Sequence, residues 1–335
     1  MNRESMWEMS MKKILLIFLT VLMLFSCKKE ESSENSQSQT SDRLLFAVIA
    51  MTFKNDYWQK VNYGCNLASF ELGVDYYFDG MEAHTSDAYI EQIALVQRAI
   101  DMNVDGIMLS AIDKAKLTPI AEAAKNAKIP LITFDSGVEG DVALSSIATD
   151  NINAGAMAAS QMKQAVSGGT VAVIANDLTS QTTTERVQGF MNSLSEDKRF
   201  LLLDAISCNG QISEAEVKFK QLYEENPELR AVFCTNSESA IGVANAIQSL
   251  NKAGEIYVIG FDSPPEEINF LEQNVIQGLI IQNPFLMGYN GISSLYNYIV
   301  NNVTPPKIID TGVIFVTRDN LNDPNVIEAI YPLKK

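Results

Sequence analysis

Five short polar segments hold most of the side chains with which this chain could do chemistry. They are Lys54-Asn55-Asp56-Tyr57-Trp58, Phe134-Asp135-Ser136, the stretch 176–184, Thr235-Asn236-Ser237 and Phe261-Asp262-Ser263. Each groups amides, carboxylates or hydroxyls, and the first adds two large aromatics. Carboxylates and amides accept and donate in pairs that match neighbouring hydroxyls. A phenol or indole can cover the apolar C–H face of a ring. The set suits retention of a polyhydroxylated small molecule. It suits bond cleavage less well, although Asp135 and Asp262 facing each other would supply the two carboxylates of a glycosidase, and recovery of a hydrolysed sugar would establish that alternative. A single histidine, His84, excludes most His-dependent triads and multi-histidine metal sites; within Glu82-Ala83-His84-Thr85 it reads as a solvated loop residue. With no phosphate-cradling loop and no Gly-rich dinucleotide fingerprint, neither a cofactor nor a metal is expected.

The elements that must position these segments alternate in type. Apolar strand-like runs lie at 44–50, 74–78, 106–109 and 130–134, and again at 171–175, 201–206, 231–235 and 257–260. Between them run amphipathic stretches such as 86–102, where Tyr89, Ile93, Val96 and Ile100 recur at helical spacing. Near-continuous apolar strands belong to parallel sheets covered on both faces. Each half therefore reads as a βαβαβ unit with right-handed crossovers, and the fold class is α/β with two doubly wound parallel-sheet lobes. Open parallel sheets bind ligands beyond the carboxyl ends of their strands, where the five segments fall. Plainer roles compete at each position. An aspartate after a strand often caps the next helix, which applies to Asp135 and Asp262; Asn236 would cap a helix over 237–250; an aromatic after a first strand is commonly core. The joint placement at strand ends favours the ligand reading.

The net charge of −16 argues against nucleic acid as a partner. Beyond Cys27 the chain has Cys65, Cys208 and Cys234, an odd number with no metal-like spacing. Cys65 and Cys234 read as buried thiols, and a disulfide through Cys208 stays open. Met11-Lys12-Lys13 precedes an apolar run over 14–25 broken only by Thr20. That run is shorter than the roughly 20 residues of a membrane span and reads as an export signal, with Met1 or Met11 as the start. Leu24-Phe25-Ser26-Cys27 resembles the lipobox of bacterial lipoproteins, which implies a signal peptide over 1–27, lipidation at Cys27 and attachment to a membrane outside the cytoplasm. Residues 28–43 contain no apolar side chain and read as a disordered tether with a reach of about 20 Å.

The polar segments also resemble a family. Asn55-Asp56-Tyr57-Trp58 is similar to the Asn-Pro-Phe-Phe opening of ribose-type (type I) periplasmic sugar-binding proteins. Ile129-Pro130-Leu131-Ile132-Thr133-Phe134-Asp135 is similar to the family's strand ending in a ligand-binding aspartate, and Ile147-Ala148-Thr149-Asp150-Asn151 to its first inter-lobe crossover. Glu185-Arg186-Val187-Gln188-Gly189-Phe190, Val232-Phe233-Cys234-Thr235-Asn236, Val258-Ile259-Gly260-Phe261-Asp262 and Ile281-Gln282-Asn283 follow in order. The resemblance implies an N-terminal lobe over 44–150 and 283–311, a C-terminal lobe over 151–282 and 312–335, and a three-segment hinge between them. It implies that Tyr57 and Trp58 stack on the ligand ring, that Asn55 and Asp135 bind hydroxyls from one lobe, and that Asn236, Asp262 and Gln282 bind them from the other lobe and the hinge. The family places arginines where this chain has Ser136 and Thr184. The ligand therefore differs from ribose, or Lys54, Gln181, Thr182 and Thr183 compensate; Arg186 is assigned to the helix scaffold. The implied ligand is a sugar or polyol, with a nucleoside as an alternative. The implied partner is an ABC permease with its ATPase subunit, and the implied working unit is a monomer. A chemoreceptor or histidine kinase is an alternative partner. A sugar-responsive repressor is disfavoured, because an export leader stands where a helix-turn-helix would be.

Overall fold

A computed structural model describes residues 43–82 and 87–332. The export signal, the lipidation at Cys27, His84 and all of the tether except Arg43 lie outside the described residues. Arg43, read as the last tether residue, is tied to the body by an ion pair with Asp75 at 2.9 Å and a hydrogen bond to the Gly73 carbonyl.

The first part of the chain runs β1 (Leu45–Thr52), α1 (Asp56–Leu72), β2 (Asp75–Met81), α2 (Ala88–Asp101), β3 (Gly106–Leu109), α3 (Lys114–Asn126), β4 (Leu131–Phe134) and β5 (Ser146–Ala148). The second runs α4 (Asn151–Ala165), β6 (Gly169–Ala175), α5 (Gln181–Ser195), β7 (Phe200–Leu202), β8 (Ile206–Ser207), α6 (Ile212–Glu225), β9 (Leu229–Cys234), α7 (Ser237–Ser249), β10 (Tyr257–Phe261), α8 (Pro265–Glu272) and β11 (Gly278–Gln282). The chain then returns through α9 (Pro284–Asn301) and β12 (Ile308–Asp310), and ends in β13 (Val313–Val316) and α10 (Pro324–Ile330). One sheet has the order β12-β5-β4-β3-β1-β2, all parallel. The other has the order β13-β11-β10-β9-β6-β7, with β8 pairing β6 beyond β7. Both are doubly wound, with the first strand of each unit inside the sheet.

Both faces of each sheet are covered, as the apolar strands require. In β1, Phe46, Val48 and Ala50 enter one cluster and Ala47 and Ile49 the opposite one. In β6, Ala172 and Ile174 face one way and Val171 and Val173 the other. Three details depart from the sequence reading. The run 201–206 is not one strand but two short ones, β7 and β8. β5, β11 and β12 are strands where the sequence suggested crossover, hinge or nothing. β13 pairs antiparallel with β11, so the second sheet is parallel except at that edge. Cys65, Cys208 and Cys234 are free, buried thiols.

The chain crosses between the sheets after β5, after β11 and after β12. Two of these passages lead straight into helices, α4 and α9, that lie backbone to backbone on the helices following β6 and β1. A Cβ at Gly189 of α5 would stand 2.0 Å from the Ile152 carbonyl oxygen, and one at Gly64 of α1 2.0 Å from that of Phe285. No side-chain rotation relieves such a clash, so the helices would have to separate. Gly189→Ala should cost about 1–3 kcal/mol, read as a lower urea midpoint with an unchanged denaturant slope; an unshifted midpoint would contradict the packing.

One buried carboxyl belongs to the fold rather than the surface. Glu267 of α8 is fully buried, and neither of its side-chain oxygens has a hydrogen-bond partner. Burial, reinforced by Asp262 and Glu238, pushes its ionisation well above the ordinary glutamate value of 4.5. A carboxyl that stays protonated in the folded state, while the unfolded chain releases its proton, makes stability fall as pH rises above 4.5 towards the raised folded value. The slope is about 1.4 kcal/mol per pH unit. Glu267→Gln cannot ionise and should gain on the parent protein as pH rises from 5 to 7, read from urea midpoints. Parallel pH profiles would contradict the assignment.

Candidate ligand-binding cleft

The carboxyl ends of the two sheets face each other across a cavity of about 790 Å3. All nine positions expected to meet a ligand line it: Asn55, Tyr57, Trp58, Asp135, Ser136, Thr184, Asn236, Asp262 and Gln282.

Asp135 and Asp262 occupy matching places, directly after the strands β4 and β10, each third from the β12 or β13 edge of its sheet. Both have left-handed backbone, with φ of 59° and 84°. That conformation is tolerated by aspartate better than by most residues and still carries a cost of order 1 kcal/mol. Neither caps a helix: β4 leads to β5, and the N-cap of α8 is Pro264. The helix-cap alternative is thereby removed for both.

Asp135 is held by neutral donors. Tyr57 donates its hydroxyl to Oδ1 at 2.6 Å, while Ser136 and Ser110 reach Oδ2 at 3.3 and 3.4 Å. Asp262 accepts from Gln282 Nε2 at 2.7 Å, and Gln282 Oε1 accepts from Thr149 at 2.8 Å. The Gln282 amide thus bridges Asp262 on the cavity wall and Thr149 in the passage between the sheets. Asn55 and Asn236 are both helix caps, accepting from Trp58 N and Ser239 N at 3.2 Å. Asn236 sits in a reciprocal capping box with Ser239 and donates Nδ2 to Glu238. For these two asparagines the capping role is real, and it coexists with a place on the cavity wall.

Some expected contributions differ. Trp58 is 5 % exposed and packs edge-on against Tyr57 and Phe134 at ring distances of 5.0 and 6.0 Å, so it is core as well as wall. The Ser136 hydroxyl is spent on Asp135. Thr184 is exposed, and its hydroxyl lies 3.0 and 2.9 Å from the Ser180 and Gln181 carbonyls. Lys54 is outside the lining and donates to the Glu82 carbonyl.

Among the described residues, the buried cation of the cleft is Arg186, which the sequence reading assigned to scaffold. It is 5 % exposed and lines the cavity. Its Nε donates to Asn151 Oδ1 at 2.8 Å, Nη1 donates to the Thr235 carbonyl at 2.7 Å, and its guanidinium lies 3.7 Å from the Phe261 ring centre. Burial raises the ionisation of both Asp135 and Asp262, and the Arg186 charge pulls each back down. Burial likewise lowers the Arg186 value, with Asp262 and Asp135 opposing. A signal for this role exists in the sequence: Arg186 follows Thr182 and Thr183 by four and three residues, which puts it on their helix face. Lys60 of α1 was also missed; it pairs with Asp56 at 2.7 Å and reaches Ser263 across the cleft at 3.4 Å.

Comparison with known proteins comes to the same architecture. The family described as periplasmic binding protein domain matches residues 46–302. The ribose import binding protein of Bacillus subtilis is 24% identical over 283 residues, covering 83% of this chain and 90% of that protein. An ABC transporter solute-binding protein of Agrobacterium vitis, solved with α-D-tagatopyranose, superposes with a TM-score of 0.81 at 26% identity, covering 86% of this chain and 99% of its own. Another from the same organism, solved with D-fucose, gives 0.80 at 28%, covering 86% and 100%.

Proposed function

Because the chain belongs to the periplasmic binding protein domain family, we propose that it is an extracytoplasmic receptor that captures a sugar or related polyol between two lobes and hands it to an ABC permease. The observation that carries this reading is the convergence of Asp135 and Asp262, from different sheets and both in left-handed backbone, on one cavity. The N-terminal lobe comprises 44–150 and 283–311, and the C-terminal lobe 151–282 and 312–335. Asn55, Tyr57, Trp58, Asp135 and Ser136 meet the ligand from the first; Thr184, Asn236, Asp262 and Gln282 meet it from the second, with Arg186 added. A ligand touching both lobes favours the closed arrangement by its differential affinity. Closure expels water, which strengthens every polar contact inside. No bond in the ligand is made or broken. The protein works as a monomer, held at the outer side of a membrane by lipid on Cys27, and the closed form is what the permease recognises.

A thermal-shift screen of the protein against pentoses, hexoses, polyols and nucleosides tests the reading. A ligand that binds only the folded form stabilises it by about 2.7 kcal/mol at a hundred times its Kd. At least one sugar or polyol should raise the Tm in a saturable way. A response confined to nucleosides, or none at all, would overturn the sugar assignment.

A further inference from the structure

The charge balance of the cleft points to a more specific ligand class. Among the described residues, ten charged side chains lie on its wall, seven acidic and three basic. Lys60 is paired with Asp56, and Lys114 stands exposed at the rim beside Asp113. Arg186, the remaining cation, directs Nε and Nη1 at neutral acceptors on Asn151 and Thr235. It balances Asp135 and Asp262 only through its field, and Glu185 shares that field. Among the described residues no ion pair includes Asp135, Asp262 or Glu238.

The unused hydrogen-bonding capacity has the same sign. Asp135 has donors on both oxygens, whereas Asp262 receives Gln282 on Oδ1 and, among the described residues, no donor on Oδ2. Glu238 receives Asn236 and Ser237 on Oε2 and, among the described residues, no donor on Oε1. Asn176, on the same wall, keeps Oδ1 buried with no partner. Asp262 Oδ2 and Glu238 Oε1 thus face the cleft without a donated hydrogen, and the Arg186 charge near Asp262 turns its donors to Asn151 and Thr235 instead. An ammonium supplies three donors and a full charge, and charge-assisted bonds are roughly twice as strong as neutral ones. A carboxylate or phosphate on the ligand would meet like charge at these two side chains.

We propose that the captured ligand carries a protonated amino group, as an amino sugar or amino polyol, seated against Asp262 and Glu238. This rests on the reading of the cleft as a sugar or polyol site. Calorimetric titration of the full chain with matched sets tests it: D-glucosamine, D-glucose and D-glucuronate; D-galactosamine, D-galactose and D-galacturonate; D-mannosamine, D-mannose and D-mannuronate; and glucamine with sorbitol. In each set that binds, the amine should be at least about ten-fold tighter than its neutral counterpart, and the acid should not bind. A neutral sugar binding as tightly as its amine, or an acid binding at all, overturns the amino-group proposal and leaves the sugar reading standing. Failure of every amine also overturns it, and silence across the neutral sugars as well removes the sugar reading with it. Glu238→Gln adds a second readout: the affinity ratio of amine to neutral sugar should fall about ten-fold, and an unmoved ratio would remove Glu238 from the amine seat.

Discussion

Replacing Arg186 by methionine should lower the stability of the protein by about 3–5 kcal/mol, the usual consequence of removing one partner from a buried charged network. Methionine preserves the length of the stem over Phe261 while deleting the charge. The loss has two sources. The Thr235 carbonyl and Asn151 Oδ1 lose their donor, and Asp135 and Asp262 lose the cation that offsets their burial. The second source titrates. With the folded-state ionisation of both aspartates raised further above the ordinary value of 3.8, the protein binds protons that the unfolded chain releases, and stability falls as pH rises. The deficit of the variant should therefore be larger at pH 7 than at pH 4, as measured by urea unfolding at both. A deficit below about 1 kcal/mol, the scale of a single ordinary hydrogen bond, or one independent of pH, would return Arg186 to the plain scaffold role.

Asp262→Asn should weaken binding of the sugar found by thermal screening by about 2–3 kcal/mol, or roughly 30- to 150-fold in Kd. Asparagine tolerates left-handed backbone nearly as well as aspartate, so the φ of 84° is no obstacle to folding. The exchange removes a buried charge and one of the two acceptors. Stability of the unliganded protein should fall by less than in the Arg186 variant, because relief from burying a carboxylate is set against loss of the charge that offsets the burial of Arg186. Calorimetry for affinity and a thermal melt for stability separate the two effects. An affinity change under about three-fold, well below one charge-assisted hydrogen bond, would take Asp262 out of the binding set.

The parts of this molecule legible in the sequence are those encoded locally. Unbroken apolar runs such as Phe46–Ala50 fill both faces of a sheet, so the parallel architecture follows from composition alone. A polar cluster directly after such a run lands at the carboxyl end of the sheet, which is why Asp135, Asn236 and Asp262 could be found. The short edge strands are another matter. β12 has three residues, and its Ile308 is 77 % exposed, so it has no burial pattern to read; β13 reverses direction because the chain returns from the other sheet, a fact of topology. The break between β7 and β8 falls at Leu203-Asp204-Ala205, where an aspartate interrupts an otherwise apolar run. Arg186 is buried by partners far away in sequence, the Phe261 ring and the Thr235 carbonyl. Glu267 follows Pro264-Pro265-Glu266, where nothing local distinguishes the two acids, yet α8 turns Glu266 outward and Glu267 into the core. The left-handed φ values of the two aspartates are not legible, because aspartate tolerates that conformation without requiring it.

The proposed ligand sits between the lobes, against Trp58. Replacing Trp7 by phenylalanine leaves Trp58 as the only indole in the chain, and its emission can be titrated with a sugar that stabilises the protein. The account predicts a saturable change in Trp58 fluorescence at one ligand per chain, with the same Kd as calorimetry. Saturating heat release with Trp58 emission unmoved would place the ligand elsewhere and contradict it.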